Sequence, residues 1–227
     1  MLAAHTVAAS QSLQVALGKL RRARGHFSGR LLVLDPHRIK SSTKRQMRRH
    51  HSNGQSQPSK KTQAFFSLDA ETHQPVVLTC ASGARTVAQA TPELLDLSQQ
   101  ILGCQPGDRQ PPLVLADEEH YTAEIFDDPR SQSFDLLVPM KASPHHQARW
   151  RALPPEAFTP HWAGYALVIQ PYPFGSREVF EVVQRSGERV ADYQFRGFLG
   201  TRAEAPCEQL TREFPQRWHV EEFFKFN

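Results

Sequence analysis

Cysteine is scarce in this 227-residue chain: only Cys80, Cys104 and Cys207, with no C-x-x-C pair among them. An odd, unspaced set excludes a disulfide framework and points to reduced thiols in a cytoplasm. No apolar run approaches the length of a membrane span, so no membrane partner is expected. The N-terminal "MLAAHTVAASQSLQVALGKLRRARG" lacks the leading charge and apolar block of a signal peptide. There is no Gly-rich phosphate loop and no G-x-S-x-G nucleophile elbow. His50–His51 and His145–His146 have no helical H-x3-H spacing and no nearby cysteine, which argues against zinc. Hydrophobic residues make up 39%, a low share, so part of the chain is expected to be loop, although this length can still bury a real core. The last absence is local. Between Pro36 and Leu68 there is no Asp or Glu, while eight basic residues fall there: Arg38, Lys40, Lys44, Arg45, Arg48, Arg49, Lys60 and Lys61. The whole chain is +4, but the remainder carries 19 basic against 23 acidic residues. An acidic body with one concentrated basic segment suggests a polyanionic partner.

Residues 1–29 read as a helical segment, with Leu13, Val15, Leu17 and Leu20 apolar and a basic end at Lys19, Arg21, Arg22 and Arg24. "RLLVLD" (30–35) is a buried strand. "QAFFSLD" (63–69) and "QPVVLTC" (74–80) flank the turn-like "AETH" as a hairpin, and "PPLVLAD" (111–117) is a fourth strand. A helix lies between the last two, with Thr91 as N-cap, Pro92 as its first residue and Gly103 as its stop. "DEEHYTAEIFDDP" (117–129) reads as the next helix and "SFDLLVPM" (133–140) as a fifth strand. This order predicts an α/β core over 30–140, a mixed sheet flanked by helices, with a basic mobile loop at 36–62. Residues 141–163 read as a Pro- and His-rich loop and 165–201 as three strands, so that 141–213 is a β-rich insertion. "FPQRWHVEEFFKFN" (214–227) is then the terminal helix of the core.

Asp35 and Asp117 each close an apolar strand. Burying an unpaired carboxylate is costly, so each is either a turn or cap acid or a ligand for something cationic. If the fourth strand runs parallel to the first, both acids lie at one sheet edge, where ligands of α/β sheets collect. Asp69 ends an antiparallel strand, lies at the opposite edge and reads as a turn acid. Two carboxylates and a third would hold two Mg²⁺ or Mn²⁺ ions for phosphoryl transfer. The terminal helix offers the third: Arg217, Glu221, Phe224 and Lys225 share one side, and Glu222 turns away. Without the rest of the chain, Arg217 and Glu221 read better as an ordinary i, i+4 surface ion pair.

Together "LLVLDPHRIKSSTKRQMRRHH", "FFSLDAETHQPVVLTCASGARTVAQATPELLDL", "LVLADEEHYTAEIF" and "FPQRWHVEEFFKFN" resemble a DDE transposase of bacterial insertion sequences, of the group with a β-rich insertion in an RNase H-like catalytic domain. The resemblance spans about residues 30–227, and the tail follows the Y-x2-R-x3-E-x6-K signature. It implies that Asp35, Asp117 and Glu221 are the catalytic, metal-holding triad, with two Mg²⁺ (or Mn²⁺) ions, and that Arg217 is the signature arginine. Phe214 stands in place of the tyrosine, and the signature lysine falls one position past the last residue, so a truncated copy is expected. The implied activity is metal-dependent cleavage and strand transfer on double-stranded DNA, at element ends and target, by paired protomers in the nucleoid. Arg38, Lys40, Lys44, Arg45, Arg48, Arg49, Lys60, Lys61, Arg217 and Lys225 are the expected DNA contacts. A non-catalytic DNA-binding remnant and a stand-alone metal nuclease of the same fold are the alternatives.

Overall fold

The computed structural model describes residues 6–42, 44, 46, 49–50, 59–82 and 84–218, with Arg49, His50 and Ser82 described by backbone alone. Ten strands form one mixed sheet: β1 (Leu31–Lys40), β2 (Arg49–His50), β3 (Ser59–Asp69), β4 (Gln74–Ser82), β5 (Leu113–Leu115), β6 (Asp135–Pro139), β7 (Thr159–Trp162), β8 (Tyr165–Pro171), β9 (Phe180–Ser186) and β10 (Gln194–Gly200). The path is β2-β3-β1-β5-β6-β10-β9-β8-β7, with β4 also paired to β3. β1, β5 and β6 are parallel neighbours, and β3 and β4 run antiparallel as a hairpin. Among the described residues five α-helices, joined by short 3-10 and π turns, complete the order: α1 (Val7–Ala23), α2 (Val87–Leu102), α3 (Ala123–Phe126), α4 (Pro144–Arg151) and α5 (Pro206–Glu208).

Strand alternation divides the core between two faces. Leu32, Leu34 and Phe65 join Leu94, Leu95 and Ile101 of α2 and Trp150 of α4 on one face. Leu31, Val33, Leu113, Leu115, Leu137 and Phe198 form the other, covered by Leu210, Cys207 and Phe214. Each fully buried aliphatic side chain contributes about 2 kcal/mol, so the alternation fixes strand register strongly.

Several sequence expectations are corrected. β1 does not end at Asp35 but continues to Lys40, pairing with β3 across nine positions from Leu32↔Asp69 to Lys40↔Lys61. The basic stretch therefore begins and ends in strand. α2 starts five residues early, because Thr86 and Gln89 form a reciprocal capping box; Pro92 lies inside the helix, where it removes one hydrogen bond. Gly103 ends α2 in the left-handed conformation, as expected. Residues 117–129 are not one helix. A 3-10 turn (Glu118–His120), α3 and a second 3-10 turn (Pro129–Ser133) replace it, since Asp117 and Asp128 take the local N–H groups of Glu119 and Arg130. Within 141–163, Ser143 caps α4, a helix hidden in the sequence by its low apolar content. Within the expected insertion β10 pairs with β6, so β7–β10 extend the core sheet. The terminal helical segment starts at Pro206, not Phe214, and passes through a π turn (Gln209–Glu213) and a 3-10 turn (Phe214–Trp218).

α1 packs opposite to expectation. Gly18 is its buried residue, tight against Ile101, and Leu13, Leu17 and Leu20 are exposed. Its polar groups reach the sheet edge: Gln14 Oε1 accepts from Leu78 N (3.0 Å) and Arg21 donates to Pro75 O (2.7 Å).

Candidate functional site

The last β1–β5 pair is Val33↔Leu115. Two residues further along β1 comes Asp35, and two residues past the end of β5 comes Asp117, the N-cap of the Glu118–His120 turn, on neighbouring strands spaced about 4.8 Å apart. Leu31 and Val33, like Leu113 and Leu115, face the side covered by the terminal segment, so period two puts both acids on that side. Both are half-exposed. Asp69 lies at the other edge. It is fully buried and accepts from Gly29 N, Glu71 N, Thr72 N and the Ser28 hydroxyl, as a turn acid should.

Asp117 is held through one oxygen. Its Oδ1 accepts from Glu119 N (3.0 Å) and lies 2.7 Å from Nδ1 of His120, which is 2% exposed. A carboxylate only accepts, so His120 carries its hydrogen on Nδ1. Among the described residues Oδ2 receives no hydrogen bond, which leaves it for a ligand. Burial pushes the Asp117 pKa up. The His120 hydrogen bond and charge, the Glu119 amide and the charge of Arg217 outweigh this, and the group sits below its ordinary value. An anion pinned at one oxygen and open at the other suits a hard cation.

The other expected residues divide. Glu221 and Lys225, and the basic Arg45 and Arg48, lie outside the described residues. Arg38 forms an ion pair with Glu119 at the site's rim. Lys40 and Lys44 are exposed, Lys60 is half-exposed, and Lys61 is buried at 8%. Arg217 stacks its guanidinium 4.9 Å from the Trp218 ring. No cluster of three or more His, Cys, Asp or Glu able to hold a metal forms among the described residues.

Sequence reasoning missed four participants. His120 was legible in principle, because an N-cap Asp with His three residues later can close on itself. Glu119, in the turn after β5, pairs with Arg38 of β1. Lys141 and Arg196 lie 55 positions apart in sequence, and only the β6–β10 pairing brings them to this edge. A slot of about 230 Å³ opens beside them, lined by Glu118, Met140, Trp150, Phe195, Arg196 and Phe214 among others.

No helix among the described residues is long and apolar enough to cross a membrane. No protein-family model matches the chain, and no curated protein does either. Among solved structures the chain is similar to piggyBac transposase in a cryo-EM synaptic complex with hairpin DNA, at 10% identity and a TM-score of 0.53. The likeness covers 87% of this chain but 40% of that one. It is a likeness of fold: the chain has a mixed α/β, transposase-like architecture.

Proposed function

We propose that this chain is the RNase H-like catalytic part of a DDE-type DNA transposase, acting on DNA phosphodiesters with divalent metal. The observation that carries it is the register of Asp35 and Asp117 on parallel neighbours, with Asp117 anchored through Oδ1 alone. Support comes from the core order β4-β3-β1-β5-β6, an antiparallel hairpin beside three parallel strands, and from the transposase fold likeness.

In this proposal Asp35, Asp117 and, by the tail signature, Glu221 hold two Mg²⁺ or Mn²⁺ ions. When bound, such ions would activate an attacking oxygen and stabilise the leaving one. The chain's own groups do the rest. His120 and the Glu119 amide fix the Asp117 carboxylate. Arg217 adds positive charge where a phosphate would lie. Arg38, held by Glu119, and the exposed Lys40 and Lys44 contact the DNA backbone without reading sequence. Paired protomers on two element ends belong to the same proposal.

The test is Mg²⁺- or Mn²⁺-dependent nicking and strand transfer on duplex DNA carrying the element ends. Activity in the parent and its loss in Asp35→Ala and Asp117→Ala is expected; variants as active as the parent overturn the assignment. Short products without strand transfer would favour a metal nuclease, and metal-independent binding without cleavage a non-catalytic remnant.

A further inference from the structure

β6 and β10 pair as Leu137↔Gly200, Val138↔Leu199 and Pro139↔Phe198, and Met140 N donates to Gly197 O at 2.9 Å. Extended two positions past the end of β6, this register brings Lys141, in the segment before α4, level with Arg196 of β10. Both are exposed, and neither makes an ion pair among the described residues, although Glu118 lines the same slot as Arg196. Like charges facing each other across strands are destabilising. Nearby arginines are matched: Arg149 with buried Glu181, and Arg38 with Glu119. The Lys141–Arg196 pair stands out as charge without a counter-charge.

Its position gives it a use. Leu137 and Phe198 lie on the same sheet face as Leu31 and Leu113. Alternation therefore sets Lys141 and Arg196 on the face that carries Asp35 and Asp117. β1, β5, β6 and β10 are successive in the sheet, and their registers put Asp35 and Asp117 level with Pro139 and Phe198. Lys141 and Arg196 therefore lie two residues further along, and Arg196 is three strand spacings across from Asp35, about 16 Å in all. That length matches roughly five nucleotides of one strand at ~3.4 Å each. We propose that Lys141 and Arg196 form a phosphate clamp that holds the DNA backbone a few nucleotides from the Asp35–Asp117 site. The clamp rests on the proposed function, since it takes the same DNA. An anion between the two cations replaces their repulsion with two charge-assisted contacts.

The experiment measures binding of the full chain to a mixed-sequence 30-bp duplex by fluorescence anisotropy across a salt series, alongside thermal unfolding. Lys141→Ala/Arg196→Ala should lower the slope of log K against log[salt] by about 2, the loss of two phosphate contacts. Arg196→Glu should weaken binding by about tenfold or more while leaving Tm equal or higher, because it now faces Lys141 with opposite charge. A structural role would move both readouts downward together. If the parent binds and the double variant keeps its slope, or Arg196→Glu loses Tm in step with affinity, the clamp is wrong and the proposed function stands. If the parent shows no salt-dependent DNA binding, both fall.

Discussion

The two ends of the parallel strands treat charge in opposite ways. At the N-terminal end Asp69 is buried under backbone and hydroxyl donors, Arg30 pairs with Glu71 at 2.6 Å, and Arg212 pairs with Glu208 at 2.9 Å. At the C-terminal end two acids come together, Asp35 on β1 and Asp117 just past β5, and two bases, Lys141 just past β6 and Arg196 on β10. Like charges held close cost stability. One end pairs its charges of opposite sign, and the other gathers charges of the same sign. Two residues cross the division. Glu119 neutralises Arg38 at the open end, and Glu213 brings a buried oxygen without a hydrogen-bond partner to the closed end.

The largest expected effect separates the ends by activity. Asp117→Asn keeps an acceptor for Glu119 N and His120 and removes only the charge. Metal-dependent nicking should fall to background while Tm moves by no more than about 3 °C, a change of roughly 1 kcal/mol. The mirror experiment is Asp69→Ala. It strands several buried donors at about 1 kcal/mol or more each, so Tm should fall on the order of 10 °C, and any protein still folded should keep its metal affinity. Equal behaviour of these two variants would erase the contrast.

An intermediate effect belongs to His120. His120→Ala should weaken Mn²⁺ binding, read by calorimetry, by about 10- to 100-fold, as loss of a group that orients a metal ligand does. His120→Asn puts an amide N–H where Nδ1 stands and should recover part of that loss; no difference between the two would make His120 a packing residue.

The smallest effect tests the exception at the closed end. Burial and the charges of Glu208 and Glu71 raise the Glu213 pKa, against the opposing pull of Arg202 and Arg212. A carboxyl whose folded pKa lies above its unfolded value lowers stability when both states are ionised, and the penalty disappears as pH falls through those values. Glu213→Gln should therefore raise Tm on the order of 1–2 °C at pH 7, with the gain gone by about pH 4.

Legibility in the sequence followed the strength of local signals. β1, β3, β5 and β6 were readable because apolar runs ending in an acid or a turn have few alternatives, and the parallel placement of Asp35 and Asp117 followed from their order. The start of α2 was misread because Thr91–Pro92 is a strong N-terminal signal, yet Thr86–Gln89 satisfies two N–H groups at once. α4 was hidden because its buried residue is a single Trp150 among His, Gln and Arg. Trp150 needs Gly197 beneath it, where an added Cβ would come within 2.2 Å of the ring, a demand that no local pattern announces. The junction of β6 with β10 was illegible for the same reason: it depends on which edge the later strands join, and the sequence of each strand fits several neighbours.

α1 has a consequence for how this protein behaves in concentrated solution. By holding Leu78 N and Pro75 O with Gln14 and Arg21, it occupies the outer row of β4, where an incoming strand would otherwise dock. Proteolytic cleavage between Arg24 and Arg30 that releases α1 would uncover that row, and the clipped protein should associate edge to edge into soluble oligomers and then precipitate, at concentrations where the intact chain stays dispersed.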